Sequence, residues 1–74
     1  MSSYMTRFGE KLRVLRQQQN LTLRQLANLL DVHYTHLNNI EIGKRRPSTI
    51  LVLKIADLFN VTADQLMRDE LELE

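Results

Sequence analysis

The chain contains no cysteine. Disulfides and thiolate metal sites are therefore excluded, and the composition fits a reducing compartment. There are only two glycines and one proline, which argues against a turn-rich β protein. No stretch approaches the roughly 20 apolar residues of a membrane span. The opening MSSYMTRFGE lacks the apolar run of a signal peptide. A cytoplasmic, nucleoid-associated protein is the resulting expectation. An enzyme is not expected. There is no cysteine nucleophile, no glycine loop to cradle phosphate, and no carboxylate pair with a histidine on one concave face. No cofactor is expected either. His33 and His36 stand at i, i+3, but a third metal ligand is missing, so no metal site is predicted.

What is present is helix-forming sequence. The 74 residues suffice for one domain, and leucine, glutamine and arginine dominate its middle. Phe8, Leu12 and Leu15 fall at helical spacing, predicting a helix over about 6–19. Asn20 can end it, because asparagine tolerates the left-handed region. Thr22 and Gln25 form a capping box. Leu23, Leu26, Ala27 and Leu30 then mark a second helix over about 22–30. After a short break at Asp31 and Val32, Leu37 and Ile40 mark a third, about 33–41. Gly43 ends it and opens the polar loop Lys44-Arg45-Arg46-Pro47. Ser48 suits the start of a fourth helix, about 48–59, which is apolar on most sides. Thr62 and Gln65 repeat the capping box for a fifth, about 62–68. The reading is an all-α, compact five-helix domain over 1–68, with an acidic tail, 69–74, expected to fray.

The net charge of +1 hides an asymmetry. Residues 1–56 carry an excess of +6, and residues 57–74 carry −5. A basic face suggests a polyanionic partner. Two short helices with a tight break, and the small Ala27 where they meet, form a helix-turn-helix pattern over about 22–41. Its second helix fits the roughly 12 Å major groove of B-DNA.

Residues 21–48, LTLRQLANLLDVHYTHLNNIEIGKRRPS, resemble the Cro/CI-type (XRE-like) helix-turn-helix family of phage repressors and bacterial regulators. The matching signals are Leu21-Thr22, Leu26-Ala27, Val32, Leu37, Ile40-Glu41, Gly43 and Pro47. Upstream, Leu15-Arg16 fits. Downstream, Leu53-Lys54-Ile55-Ala56 and Asn60-Val61-Thr62 fit. The resemblance implies a repressor-like five-helix fold, double-stranded DNA as partner, and a homodimer on a palindromic operator. It also implies a salt bridge between Arg16 and Glu41. The chain departs from the family at Asp31 and Asn20, which replace common glycines. Leu23 and Ile42 replace polar residues that touch phosphate in many members.

With Leu37 and Ile40 inward, Tyr34, Thr35, Asn38 and Asn39 face outward and become the candidate base readers. The resemblance points to Tyr34, Thr35 and Asn39, and for Asn38 an ordinary solvated position is the competing reading. Candidate phosphate contacts are Arg24, His36, Lys44, Arg45 and Arg46. The start of the fourth helix near Ser48 joins them. Ile50, Leu51, Leu66 and Leu71 are candidates for a dimer interface, the alternative being that they complete the core. The expected function is a sequence-specific, dimeric regulator of transcription. The alternative is an antitoxin-type interaction module of the same fold, and a toxin or polymerase is a candidate protein partner.

Overall fold

Two threonine–glutamine pairs set where helices begin. Thr22 Oγ1 accepts from the Gln25 amide at 3.1 Å, and Gln25 Oε1 accepts from the Thr22 amide at 2.8 Å. Thr62 and Gln65 repeat the arrangement at 3.0 and 2.9 Å. Each box satisfies amides that have no partner inside a helix. Ser48 Oγ caps the Leu51 amide at 3.1 Å, and His33 Nδ1 caps the Thr35 amide at 3.2 Å. A computed structural model describes residues 3–73; Met1, Ser2 and Glu74 lie outside the described residues. The helices are α1 (Phe8–Gln18), α2 (Leu23–Leu30), α3 (Tyr34–Glu41), α4 (Thr49–Phe59) and α5 (Ala63–Met67). Besides them, the described residues contain an isolated antiparallel bridge between Tyr4 and Arg68.

The ends of α1, α2, α3 and α4 share one device. Asn20, Asp31 and Asn60 each have φ of 56°, and Gly43 has φ of 86°. The residue after each donates its amide to the carbonyl five positions back: Leu21 to Arg16, Val32 to Ala27, Lys44 to Asn39, and Val61 to Ala56. This is the bond that closes a Schellman-type end. Leu21, Val32 and Val61 also pack against the core. Asp31 thus serves the turn between α2 and α3 in the left-handed conformation that glycine often supplies.

The core joins Phe8, Leu12 and Leu15 of α1 to Leu26, Ala27 and Leu30 of α2, Leu37 and Ile40 of α3, and the inner face of α4. Leu51 and Leu66 are 4% and 0% exposed and belong to this core. They complete the core, the alternative reading given for them, and are unavailable for a dimer patch. Ser48 as N-cap places Leu51 on the same face as Val52, Ile55 and Ala56, and that face turns inward. Ile50 is left outside, 68% exposed.

Glycine is required at Gly9. A Cβ there would stand 2.4 Å from the Glu41 carbonyl oxygen and 2.5 Å from that of Ile40. Side-chain-free backbone at Gly9 lets α1 lie directly on the last turn of α3.

Residues 69–73 of the acidic tail, expected to fray, are held instead. Lys11 is 2% exposed. Its ammonium donates to the carbonyls of Gln65, Arg68 and Leu71 at 2.6, 2.8 and 2.8 Å. Burial, and then the nearby Arg7, lower the Lys11 pKa from its ordinary value. Gln65 Nε2 donates to the Leu73 carbonyl at 3.2 Å, and Leu73 packs on the core. Asp69 caps the start of α1 from 62 residues away, accepting from the Arg7 amide at 2.9 Å. It also accepts from the Thr6 amide and hydroxyl. No α1 residue caps that end, so a carboxylate from the tail supplies both the acceptor and the negative charge that a helix N-terminus favours.

Candidate nucleic-acid interface

The α2–α3 pair is fixed from behind. Leu26, Ala27, Leu30, Leu37 and Ile40 are all at most 2% exposed. A second restraint is ionic. Arg16 Nε donates to Glu41 Oε2 at 2.7 Å and Arg16 Nη2 to Glu41 Oε1 at 3.1 Å, a two-pronged contact from α1 to the end of α3. Arg13 adds a longer contact at 3.5 Å. The Arg16 Nη1 donates to the Leu21 carbonyl at 2.9 Å, so the same guanidinium also ties the α1–α2 turn. Glu41, buried and paired, contributes little negative charge to the exposed surface.

On the outer side of α3, Tyr34, Thr35 and His36 are exposed, and Asn38 and Asn39 are half-buried. The helix offers an aromatic ring, a hydroxyl, an imidazole and two amides along one solvent face. The Asn39 carbonyl accepts from the amides of Lys44 and Arg45 at 2.8 and 3.2 Å. The basic loop is thereby attached to the same turn that carries Asn39. His33 is committed to capping α3. Ser48 uses its oxygen lone pairs for the Leu51 amide, and its hydroxyl hydrogen remains available to donate outward.

The charge pattern of the helix starts is uneven. The first turns of α1 and α5 carry Glu10 and Asp64. The first turns of α2, α3 and α4 carry no acid. Acidic residues normally favour first turns because they offset the positive end of the helix dipole. Three helix starts without them leave a positive field, and Arg24 adds a cation to the first of the three. Among the described residues, Arg24, Lys44, Arg45 and Arg46 enter none of the ion pairs. All four are exposed. Unpaired cations beside uncompensated helix starts form a surface suited to a polyanion.

Contacts of three cations escaped the sequence reading. Lys11 fills the fourth position of the apolar stripe of α1, with Phe8, Leu12 and Leu15, and a lysine in such a stripe is itself a signal of burial. Lys54 donates to the Leu30 carbonyl at 3.3 Å, which occupies its ammonium at the end of α2. Arg24 lies over the Tyr34 ring, its guanidinium carbon 4.5 Å from the ring centre. Nothing local in the sequence pairs those two residues. Among the described residues, no group of three or more histidine, aspartate or glutamate side chains is arranged to hold a metal. No described helix is long and apolar enough to cross a membrane.

Residues 12–66 match the model of the helix-turn-helix family. The chain belongs to that family. It is 41% identical over 63 residues to an HTH-type transcriptional activator, BcrR, of Enterococcus faecalis, covering 85% of this chain and 31% of that protein. It is 33% identical over 70 residues to the control protein C.MunI of a Mycoplasma species, covering 93% and 95% respectively. The crystal structure of the restriction-modification controller protein C.AhdI from Aeromonas hydrophila superposes with a TM-score of 0.74 at 29% identity, covering 84% of this chain and 94% of that one. The chain spans about a third to a half of the length of BcrR and of two Bacillus subtilis regulators that it also matches, ImmR and RghR.

Proposed function

We propose that this protein is a sequence-specific, double-stranded DNA-binding regulator of transcription. The observation that carries the reading is the acid-free start of α2, α3 and α4, combined with four unpaired cations, around the polar face of α3. α3 enters the major groove. Tyr34, Thr35 and Asn39 meet base edges: asparagine suits adenine, and threonine suits a thymine methyl or a base-edge acceptor. Asn38, half-buried, flanks them. Lys44, Arg45, Arg46, His36 and the start of α4 at Ser48 hold phosphates and fix register. Membership of the helix-turn-helix family, and relatives named as transcriptional activators and repressors, support the same reading.

A homodimer completes it. Ile50 and Leu53 stand at i, i+3 on the outer side of α4, 68% and 51% exposed, and Leu71 is 37% exposed. These residues are the proposed self-association patch, with Leu53 taking the place of the buried Leu51. Two copies would present α3 to half-sites about 34 Å apart, one turn of DNA.

Fluorescence-anisotropy titration of a random-sequence duplex at about 50 and 200 mM salt tests the reading. A protein neutralising 6–10 phosphates loses roughly 10³–10⁵ in affinity between those salts. Binding at low salt with a steep loss supports it. No binding by folded protein at low salt overturns it.

A further inference from the structure

Arg24 is the second residue of α2, and Tyr34 is the first of α3. Their contact joins the starts of the two helices, with the guanidinium carbon 4.5 Å from the ring centre. The position is costly for a cation, because it opposes the helix dipole and no acid shares the turn. The ring of Tyr34 is its contact among the described residues, and Tyr34 keeps 39% of its surface open.

We propose that Arg24 is a specificity-determining residue that acts through Tyr34, rather than an independent phosphate contact. This inference rests on the DNA reading given above. The stack holds the Tyr34 ring against α2 and so selects which base pair the ring meets at the leading end of α3. At an exposed site such a stack biases the ring only roughly two- to fivefold. A duplex closing over it excludes water and strengthens it, so its effect is largest in the complex. Lysine cannot replace arginine here without loss, since a compact ammonium lacks the planar face that stacks on a ring.

The test uses the full 74-residue chain. Wild-type protein first selects its site from random duplexes. Competition binding is then measured on every single-base-pair variant of that site for Arg24→Met, Arg24→Lys, Tyr34→Leu, Tyr34→Phe and the double variant Arg24→Met/Tyr34→Leu. Thermal melts verify that each variant is folded. Tyr34→Leu is expected to lose roughly tenfold discrimination at one position of the half-site. Arg24→Met loses discrimination at that same position, and the double variant loses no more than either single one. Arg24→Lys falls between, and Tyr34→Phe, which keeps the ring, retains most of the discrimination that Tyr34→Leu loses. Uniform weakening by Arg24→Met on all sequences, with the salt slope reduced by about one, makes Arg24 a phosphate contact and overturns the proposal. Additive losses at different positions overturn it as well. A wild-type protein that selects no sequence defeats base reading itself, and that failure is visible before any variant is made.

Discussion

Glu41 receives both prongs of the Arg16 guanidinium, at 2.7 and 3.1 Å, and its side chain is 2% exposed against 16% for Arg16. The pair fastens α1 to the end of α3. A charge this buried is expensive to leave alone. Arg16→Met strands the Glu41 carboxylate with only Arg13, at 3.5 Å from a side chain that is 48% exposed. We expect Arg16→Met to cost about 3 kcal/mol in urea denaturation. Arg16→Met/Glu41→Leu, which removes both charges, is expected to recover most of that loss. A single-variant cost below about 1 kcal/mol would show that the pair contributes no more than a surface bridge.

Gly9→Ala gives the sign of a competition. Alanine is the better helix former by about 1 kcal/mol at most. Against this, the new methyl meets backbone oxygen at 2.4 Å, where no flexible side chain can yield. Overpacking of this kind costs about 1–3 kcal/mol. The expected outcome is net destabilisation, read as a lower melting temperature. An unchanged or raised melting temperature would mean that α1 slides off α3 at little cost.

The tail latch is expected to depend on pH. The hydroxyl of Thr6, and then the amides of Arg7 and Thr6, hold the Asp69 carboxyl below its ordinary value, against a smaller opposing effect of burial. A carboxyl lowered on folding stabilises the folded state above its unfolded pKa of about 3.9, and that stabilisation disappears as pH falls through the lower folded value. The melting-temperature gap between wild type and Asp69→Asn should therefore be full at pH 6 and shrink below about pH 4. A gap that stays constant down to pH 2 would assign the latch to hydrogen bonding by the neutral group.

Asn39→Ala and Arg45→Ala separate reading from holding. On the selected site Asn39→Ala is expected to cost about 1–3 kcal/mol, with binding to random DNA nearly intact. Arg45→Ala should weaken both duplexes alike and flatten the salt slope by about one. Equal losses on both duplexes for Asn39→Ala would remove it from the base readers.

Sequence reasoning succeeded where the controlling contact is short in sequence. The boxes at Thr22/Gln25 and Thr62/Gln65 act across three residues, and Asn20 and Asp31 close the turns next to themselves. The outward residues of α3 were legible because Leu37 and Ile40 fix the phase of that helix. In α4, apolar residues run almost all round, so no phase was readable. Leu51 was therefore left open between a surface patch and the core, and Leu53 was given no place in the patch. The Arg16–Glu41 pair was suggested by family resemblance alone. Lys11, Asp69 and Gly9 act on residues brought near by the tertiary fold, and local pattern carries no record of such partners.

The uncompensated starts of α2, α3 and α4 place the folded protein away from its own stability optimum. An acid in any of those turns would steady its helix and repel a phosphate backbone at the same time. Selection for heat resistance alone would drift toward such acids and produce a sturdier domain whose proposed DNA face is weakened. Surface-charge optimisation that treats the isolated molecule as the goal would thus act first on the proposed interface.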